Sequence, residues 1–267
     1  MNIIEIESKD NQKIKELKKL KLKKYRDKSG FFCVENWKII QDGLVSGFVF
    51  QELFVTDVFF KKNEAMLAEI FLQNKLTNLI VIPEKLNSVF SALDTPPGVI
   101  AVYKKIAQNF TWDKPFVYLN KIADPGNLGT ILRSGVAFGL ENIILDSSCV
   151  DLYNAKTIQA AKDAIFKLNI QEDNSGEIIG EIKKRGIKIY ATNVEKGRDL
   201  KEALAEKKEN YCLILGNESS GVSPELLGVA DELINIRTSN KIESLNVAVS
   251  AGIIFYELFN LPTSKLR

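Results

Sequence analysis

The segment "FVYLNKIADPGNLGTILRSGVAFGLENIILD", Phe116–Asp146, decides the fold because it holds a strand, a turn, a helix and a second strand in succession. Its two ends are short apolar runs typical of buried strands. Between them, Asp124–Pro125 predicts a helix start, and the helix is expected to cover residues 126–138. The same turn predicts a positive φ at Gly126 or Asn127. Strands joined by helices favour a parallel sheet, whose ligands bind beyond the carboxyl ends of the strands.

The same alternation continues towards the end of the chain. Three further apolar runs have the pattern of strands: "IKIYATN", "YCLILG" and "ELINIR". Helical patterns cover residues 154–164, 177–185, 200–207 and 244–259. The last of these is apolar nearly all round, which predicts burial in the core or in a subunit interface.

The first part of the chain has a shorter alternation of strands and helices over residues 31–82, which indicates a small α/β domain. A chain of 267 residues is long enough for two domains. The pattern changes near residues 104–110, so the predicted domains are residues 1–104 and 105–267.

The composition, 45% apolar and 26% charged residues, is typical of a globular protein. No segment reaches the roughly 18 apolar residues that span a membrane, and no signal peptide is recognised, so we expect a cytoplasmic protein without membrane contact. Cys33, Cys149 and Cys212 are widely spaced, which favours small buried thiols over disulfides or a zinc site. The chain has no histidine, which excludes histidine-based catalysis, and no metal is expected.

The segment from Lys9 to Lys28 carries ten lysines or arginines and three acidic residues, a net charge of 10 − 3 = +7. Ile14, Leu17 and Leu20 are spaced as the buried stripe of one helix. Two interpretations stay open for its charges. They form a solvated lysine-rich face, or they bind RNA phosphates. The lysines concerned are Lys18, Lys19, Lys23 and Lys24.

Three segments place glycine or polar residues directly after predicted strands. They are "NKIADPGNLGTILRSGVAFG" (Asn120–Gly139), "LILGNESSGVS" (Leu213–Ser223) and "IRTSNKIESLNVAVSAG" (Ile236–Gly252). In the first, Arg133 has a small residue one turn before and after it, which leaves room around the guanidinium for backbone or a ligand. An ordinary exposed arginine is the alternative, but phosphate recognition favours an arginine at such a turn-helix junction. In the third, Ser244 is the expected helix N-cap, and the Asn246 amide needs a partner from backbone or ligand.

The second segment has the spacing of a phosphate-binding loop without its lysine. Glu218 is its one charged residue and would repel a triphosphate, so an NTPase is disfavoured. The simplest alternative is a strand-to-helix turn with Ser223 as N-cap and Pro224 as the first helical residue. The chain also lacks a GxGxxG fingerprint, which argues against a Rossmann-type methyltransferase. None of the three segments contains a cysteine, which disfavours base methylation at C5.

Taken together, residues 95–267 resemble the SpoU/TrmH family of RNA ribose 2′-O-methyltransferases, within the SPOUT superfamily. The motifs that carry the resemblance are "DPGNLGTILRSGVAFG", "LGNESSGVS" and "SLNVAVSAG". "FFCVENWKIIQDGL" resembles the small ribosomal-protein-like domain that binds substrate RNA in many family members. The resemblance implies an RNA-binding domain over residues 1–104 and a catalytic domain over residues 105–267. It also implies a parallel sheet with a C-terminal trefoil knot and a homodimer.

The resemblance further implies S-adenosylmethionine as cofactor and RNA as substrate, with ribosomal RNA favoured and transfer RNA as the alternative. A catalytically inactive RNA-binding factor is the other alternative. The implied cofactor-binding residues are Thr192, Leu215, Gly216, Asn217, Gly221, Ile236, Leu245 and Asn246. The implied catalytic residues are Asn127 and Glu218 as site organisers, Arg133 at the ribose and its phosphate, and Ser244 and Asn246 at the cofactor or RNA. Because a guanidinium is a poor base, the general base stays unassigned.

The chain departs from the family pattern at several positions. Asn120 stands where Asp is usual, and Gly135 where Ala is usual. Ala161 and Asp163 occupy the usual Ser and Gly positions, and Arg237–Thr238 replaces a common Pro–Met pair. None of these changes lies in the core of the three motifs, so they bear on the RNA target more than on activity.

Overall fold

The structure is a computed structural model that describes residues 2–73, 78–106, 110–205, 210–239 and 241–261. It divides into two compact units. The first unit comprises residues 1–107 and 151–166, and the second comprises residues 108–150 and 167–267. The chain therefore enters the second unit, returns to the first for sixteen residues (151 to 166), and then completes the second.

The first unit is built on a mixed sheet with the strand order β1-β4-β3-β5-β2. Its strands are β1 (Asn2–Glu5), β2 (Phe31–Val34), β3 (Glu52–Thr56), β4 (Asn78–Ile82) and β5 (Val99–Lys104). Strand β5 runs antiparallel to β2 and β3, whereas the β1–β4 and β3–β4 pairs are parallel. The helices of its first part are α1 (Gln12–Lys19), α2 (Lys23–Ser29), α3 (Trp37–Val45), α4 (Asp57–Gln73) and α5 (Asn87–Phe90), with a 3₁₀ turn at Glu84–Leu86. The expected small α/β domain is present.

The lysine-rich segment is not one helix, as its apolar spacing predicted, but two. Helix α1 ends at Lys19, and α2 begins after Leu22. Ile14 and Leu17 are buried as expected, and Leu20 is half-buried at the break. The chain changes direction there because the buried Arg26 binds the carbonyls of Leu20 and Lys21.

The returning segment of the first unit contains α7 (Ala155–Ala161) and a 3₁₀ turn, Lys162–Phe166. The helix predicted over residues 154–164 ends early because Lys162 has φ 57° and ψ −132°, outside the helical region. The Phe166 ring packs on Tyr103 with the centroids 5.3 Å apart, and it also lies against Gly43. The segment therefore contributes to the core of the first unit.

The second unit is built on a parallel sheet with the order β10-β12-β9-β11-β6-β7-β8. Its strands are β6 (Phe116–Leu119), β7 (Asn142–Asp146), β8 (Asn169–Asp173), β9 (Lys188–Thr192), β10 (Arg198–Asp199), β11 (Tyr211–Leu215) and β12 (Glu232–Asn235). The parallel sheet predicted from the sequence is confirmed. The edge strands β8 and β10 were not predicted, because neither is an apolar run.

Helices connect these strands. They are α6 (Pro125–Ala137), α8 (Ile178–Lys184), α9 (Leu200–Ala205), α10 (Pro224–Val229) and α11 (Val247–Asn260). Each starts within three residues of its prediction, and residues 206 and 207 of the predicted fourth helix lie outside the described residues. Helix α6 begins as expected, with the Asp124 carboxylate accepting a hydrogen bond from the Asn127 N–H at 2.7 Å.

The start of α11 corrects one prediction. Ser244 is not the N-cap. The cap is Asn246, whose Oδ1 accepts hydrogen bonds from the N–H groups of Ala248 and Val249 at 2.9 and 3.2 Å. The helix therefore begins at Val247, and the Asn246 side chain satisfies two of its free amide donors.

The cysteines among the described residues are free thiols: Cys212 is buried, and Cys33 and Cys149 are half-buried. Burial, with a smaller effect of Asp146, raises the pKa of the Cys149 thiol to about 12. In the described parts of the chain, no cluster of three or more Cys, Asp or Glu side chains is arranged to hold a metal ion. No helix within those parts is long and apolar enough to cross a membrane.

Candidate functional site

A cavity of about 940 Å³ lies in the second unit, beyond the carboxyl ends of β9, β11 and β12. Three loops line it: residues 192–195 at the end of β9, residues 216–221 after β11, and Ile236, Thr238 and residues 243–245 between β12 and α11. Its apolar lining consists of Val194, Leu200, Leu215, Val222, Leu227, Ile234, Ile236, Leu245, Val247 and Ile254. A cavity of this size and lining fits a small-molecule ligand with a flat apolar group.

Gly216 allows two parts of the chain to approach each other at the wall of the cavity. A Cβ at this position would lie 2.1 Å from the Val222 nitrogen and 2.2 Å from the Gly221 carbonyl carbon. Both are backbone atoms that cannot turn aside. The wall at this point is therefore closely packed backbone, and only a residue without a Cβ fits there.

The loop that follows Gly216 is closed by its own hydrogen bonds. The backbone groups of Asn217 and Gly221 bind each other at 3.1 and 2.9 Å, and Gly221 has φ +65°. The Asn217 Oδ1 accepts hydrogen bonds from the N–H groups of Ser219 and Ser220. Its Nδ2 donates to the carbonyl oxygen of Lys121 at 3.0 Å. The loop is thereby fixed to the turn after β6.

A chain of hydrogen bonds joins the three segments that the sequence singled out. Asn246 Nδ2 donates to Asn127 Oδ1 at 3.0 Å. Asn127 Nδ2 in turn donates to the Glu218 carboxylate. Glu218 lines the cavity. The first turn of α6, the loop after β11 and the cap of α11 therefore meet through one polar network, which we call the Asn–Asn–Glu network.

The charged side chains that line the cavity are acidic. They are Glu195, Glu218 and Glu243, and no lysine or arginine lines the described part of the cavity wall. Such a lining favours a ligand that carries positive charge, and it disfavours a nucleoside triphosphate. The cavity thus does not behave as a phosphate-binding loop, despite the glycine spacing around it.

The structure brings most of the predicted site residues together. Those lining the cavity are Thr192, Leu215, Gly216, Asn217, Glu218, Gly221, Ile236, Ser244 and Leu245. Asn127 and Asn246 do not line it but reach Glu218 through the Asn–Asn–Glu network. Sequence reasoning missed Glu195 and Glu243, since an exposed loop glutamate carries no signal without knowledge of the cavity.

Arg133 is not joined to this network. It is exposed on α6, and its guanidinium makes no hydrogen bond or ion pair with any residue that the structure describes. An exposed cation on this helix is accessible to an anionic ligand.

The turn after β6 supports the site and corrects a second prediction. Gly126 and Asn127 are helical, and the positive φ of this turn, 57°, is at Lys121. The preceding Asn120 is buried. Its Nδ2 donates to the Asp146 carboxylate at 2.5 Å, and its Oδ1 accepts a hydrogen bond from the Ser223 N–H at 2.9 Å. Asn120 thereby links β6 to β7 and to the start of α10.

The four lysines predicted to bind RNA lie in the first unit, on either side of the break between α1 and α2. We call residues 18–28 the basic corner. Lys23 forms an ion pair with Asp27 at 3.0 Å. Lys19 and Lys24 flank the Tyr25 ring, with their Nζ atoms 5.9 and 6.0 Å from its centroid.

The buried Arg26 fixes the basic corner. Its Nη1 donates to the carbonyls of Leu20 and Lys21 at 2.7 and 2.8 Å. Its Nε donates to the Asp151 carboxylate at 2.9 Å, and Nη2 binds the same carboxylate. Both side chains are 6% exposed. Four charge-assisted contacts thus hold one buried cation in place.

Comparison with known proteins agrees with this geometry. The model of the SpoU rRNA Methylase family matches residues 114–256, and that of the MRM3-like substrate binding domain matches residues 11–101. The chain is 31% identical over 257 residues to 23S rRNA (guanosine(2553)-2′-O)-methyltransferase RlmP of Bacillus subtilis, covering 95% of this chain and 98% of that protein. It is 26% identical to an AdoMet-bound rRNA methyltransferase from Sinorhizobium meliloti, with a TM-score of 0.82 over 96% of this chain and 97% of that one. A 23S rRNA (uridine(2479)-2′-O)-methyltransferase of Streptomyces viridochromogenes is 25% identical over 188 residues, which cover 67% of this chain and 66% of that protein.

Proposed function

Since this chain belongs to the SpoU rRNA Methylase family, we propose that its cavity binds S-adenosylmethionine beside the Asn–Asn–Glu network. The protein is an S-adenosylmethionine-dependent RNA methyltransferase that acts on a ribose 2′-hydroxyl of ribosomal RNA. The observation that carries the proposed site is the meeting of all three motifs at the edge of one cavity.

The lining of the cavity fits this cofactor. The apolar residues suit an adenine ring, and backbone groups of the lining loops, Gly216 among them, can hydrogen-bond its edge. Glu195, Glu218 and Glu243 favour the positive charges of a sulfonium and an ammonium group. When bound, S-adenosylmethionine supplies an electrophilic methyl group.

The chain's own residues orient the nucleophile. The Asn–Asn–Glu network holds the Glu218 carboxylate in one direction at the cavity, where it can accept a hydrogen bond from a ribose hydroxyl. Arg133 binds the phosphate next to that ribose and stabilises negative charge on the oxygen as its proton leaves. Ser244 and Leu245 cover the cofactor. Orientation supplies much of the rate in this account, and no residue is assigned as general base.

The test uses purified protein, labelled S-adenosylmethionine and RNA from a strain lacking the gene. We expect methyl transfer to ribosomal RNA by the wild type and at least about 100-fold slower transfer by Asn127→Asp, since a second carboxylate would face Glu218. Asn127 does not line the cavity, so cofactor affinity should stay within about threefold. The matched control is Asn78→Asp, an exposed asparagine of the first unit, which should behave as wild type.

The same assay distinguishes the proposed ribosomal RNA methyltransferase from a transfer-RNA methyltransferase and from an inactive RNA-binding factor. A transfer-RNA fraction from the same strain is the second arm, and methylation confined to it would make transfer RNA the substrate. A wild type that binds RNA without transferring a methyl group to either fraction would be an inactive RNA-binding factor.

The basic corner is the proposed contact of the first unit with substrate RNA. Lys18, Lys19 and Lys24 have no ion-pair partner among the described residues. Lys23 is the weakest contributor of the predicted four, because Asp27 already offsets its charge. The buried Arg26 fixes the backbone that presents these lysines, so fewer degrees of freedom are lost when RNA binds.

A homodimer is the proposed assembly, formed through α11. One face of this helix buries Val247, Ala251 and Ile254 in the second unit. The opposite face exposes Val249, Tyr256 and Phe259, which are 50%, 54% and 62% exposed and lie at helical spacing. An apolar stripe of this kind marks an association surface. Light scattering of Tyr256→Lys should show a monomer where the wild type is a dimer.

The remaining proposals concern threading and location. Gly197 lies so close to β12 that a Cβ would be 2.3 Å from the Ile234 carbonyl carbon. This close approach accompanies the pairing of β10 with β12, and the proposed C-terminal trefoil knot, a rare topology, rests on the family resemblance. Action on ribosomal RNA supports a cytoplasmic location.

A further inference from the structure

Lys121 has an unfavourable backbone conformation at the carboxyl end of β6. Its φ is 57°, in the left-handed region. Residues with a Cβ are disfavoured there, and glycine or asparagine adopts it far more readily. Among the described residues other than glycine, Lys162 is the second with a positive φ. Strain of this kind is commonly found at functional sites.

Two hydrogen bonds made by the Lys121 backbone hold the residue in this conformation. Its N–H donates to the Asp146 carboxylate at 3.0 Å. Its carbonyl accepts the hydrogen bond from Asn217 Nδ2 at 3.0 Å. The turn thus ties the end of β7 to the cavity loop that contains Glu218. These contacts require the turn but not a lysine, because glycine would make the same two hydrogen bonds without the strain.

The Lys121 side chain is exposed and is therefore not retained for packing. Its ammonium group lies close enough to α10 to act on Glu225. The pKa of that carboxyl is lowered first by hydrogen bonds to its own N–H and to Ser223, and then by the Lys121 charge. No carboxylate within 4 Å neutralises this ammonium among the residues that the structure describes.

The acidic lining of the cavity explains what a nearby ammonium group can do. The cavity is lined by glutamates, and an RNA strand that brings a ribose to Glu218 also brings its phosphates there. A cation beside the loop offsets that repulsion. Lys121 is fixed directly to this loop through Asn217.

We propose that Lys121 is a substrate-binding residue whose ammonium group binds an RNA phosphate next to the target ribose, while its backbone positions the Asn217–Gly221 loop. This inference rests on the proposed function of the cavity. It adds a second phosphate contact beside the one proposed for Arg133, from a residue outside the three motifs and the basic corner.

The test compares Lys121→Gly, which removes both ammonium and strain, with Lys121→Ala, which removes the ammonium alone. For both we expect a KM for ribosomal RNA about fivefold higher, a kcat within about twofold of wild type, and a salt dependence of binding reduced by about one unit of slope. Lys121→Arg should restore KM. Lys121→Gly should melt no lower than wild type, because the strain is relieved. The matched control is Lys184→Ala, at the end of α8 on the opposite, amino-terminal edge of the sheet, which should leave KM unchanged.

Three results would overturn the inference. They are an unchanged KM in both variants, a fall in kcat with KM unchanged, and a markedly lower melting temperature of Lys121→Gly. The failure of the proposed function gives a different result, because the wild type would then transfer no methyl group. An active wild type with unaltered Lys121 variants contradicts this inference alone.

Discussion

The cavity and the basic corner are both proposed binding sites, but they are built from different parts of the chain. At Gly216 the cavity wall is backbone, packed so closely that a single Cβ has no space. The basic corner consists of exposed lysine side chains on a turn that one buried arginine holds in place. The closely packed cavity has one fixed shape that suits one ligand. The basic corner makes a charged surface that tolerates many RNA conformations.

The difference predicts how each site responds to substitution. The cavity should lose its ligand in one step when the packing at Gly216 is disturbed, because the neighbouring atoms there are backbone and cannot move aside. A surface of separate charges should weaken by increments, one released counterion at a time.

Gly216→Ala should abolish cofactor binding. The new methyl group would lie 2.1 to 2.4 Å from backbone atoms of Gly221 and Val222, so the wall of the cavity must open. Calorimetry with S-adenosylmethionine should show an affinity at least about 100-fold weaker. Gly180→Ala is the control, since a Cβ there meets nothing within 4 Å, and it should stabilise α8 by roughly 0.5–1 kcal/mol. Binding by Gly216→Ala within threefold of wild type would contradict a backbone-built cavity.

Arg26→Met should destabilise the first unit by about 3–5 kcal/mol, because it leaves the Asp151 carboxylate buried without a positively charged partner, although the Tyr153 N–H still donates to it. The measurement is urea denaturation followed by circular dichroism. Adding Asp151→Leu should recover much of the loss, since the uncompensated charge is then removed. A single variant within 1 kcal/mol of wild type would mean that the basic corner is not fixed by Arg26.

Reversing the charge of the unpaired lysines of the basic corner should weaken RNA binding by degrees. For the triple variant Lys18→Glu, Lys19→Glu, Lys24→Glu we expect the slope of log affinity against log salt to fall by about 2–3. Lys61→Glu with Lys62→Glu, on exposed positions of α4, is the control in the same unit. If the triple variant keeps the wild-type slope, the lysines are a solvated face, and the contrast with the cavity disappears.

Glu35 gives the smallest effect, and it depends on pH. This carboxyl is buried and accepts hydrogen bonds from Ser91 and from the Ala92 N–H, and burial raises its pKa. The raised value means that the neutral form is favoured by folding, so its stabilisation is present at low pH and lost as pH rises through the folded-state pKa. Relative to Glu35→Gln, the wild type should lose unfolding free energy as pH rises from the ordinary glutamate pKa through the raised folded-state pKa. Parallel pH profiles of the two proteins would show that the carboxyl is already accessible to water.

The second unit was predictable from the sequence to a large degree. The strand-turn-helix pattern around Asp124 and Pro125 has local causes, a cap and a fixed φ, and the structure contains both. The cavity residues followed from motif resemblance, and they lie together because parallel strands end at one edge of the sheet. Local chemistry also explains the error at Ser244: two capping residues lie two positions apart, and Asn246 makes the cap.

Other features could not be predicted, because their causes are distant in sequence. The break after α1 depends on Arg26, whose partner Asp151 is 125 positions away. The helical pattern over residues 154–164 does not predict which of the two sheets the helix packs on. In the structure, this segment belongs to the first unit. Lysine carries no turn signal, so the positive φ at Lys121 was assigned to Gly126 or Asn127 instead.

The central claim is that the glycine-framed cavity supports ribose methylation of ribosomal RNA. The most direct measurement is a map of ribose 2′-O-methylation in ribosomal RNA from a strain lacking the gene, complemented with wild type, Gly180→Ala or Gly216→Ala. The account predicts a methylated ribose that is lost on deletion, restored by wild type and Gly180→Ala, and not restored by Gly216→Ala. A methylation map unchanged by the deletion, or restored equally by Gly216→Ala, would contradict it.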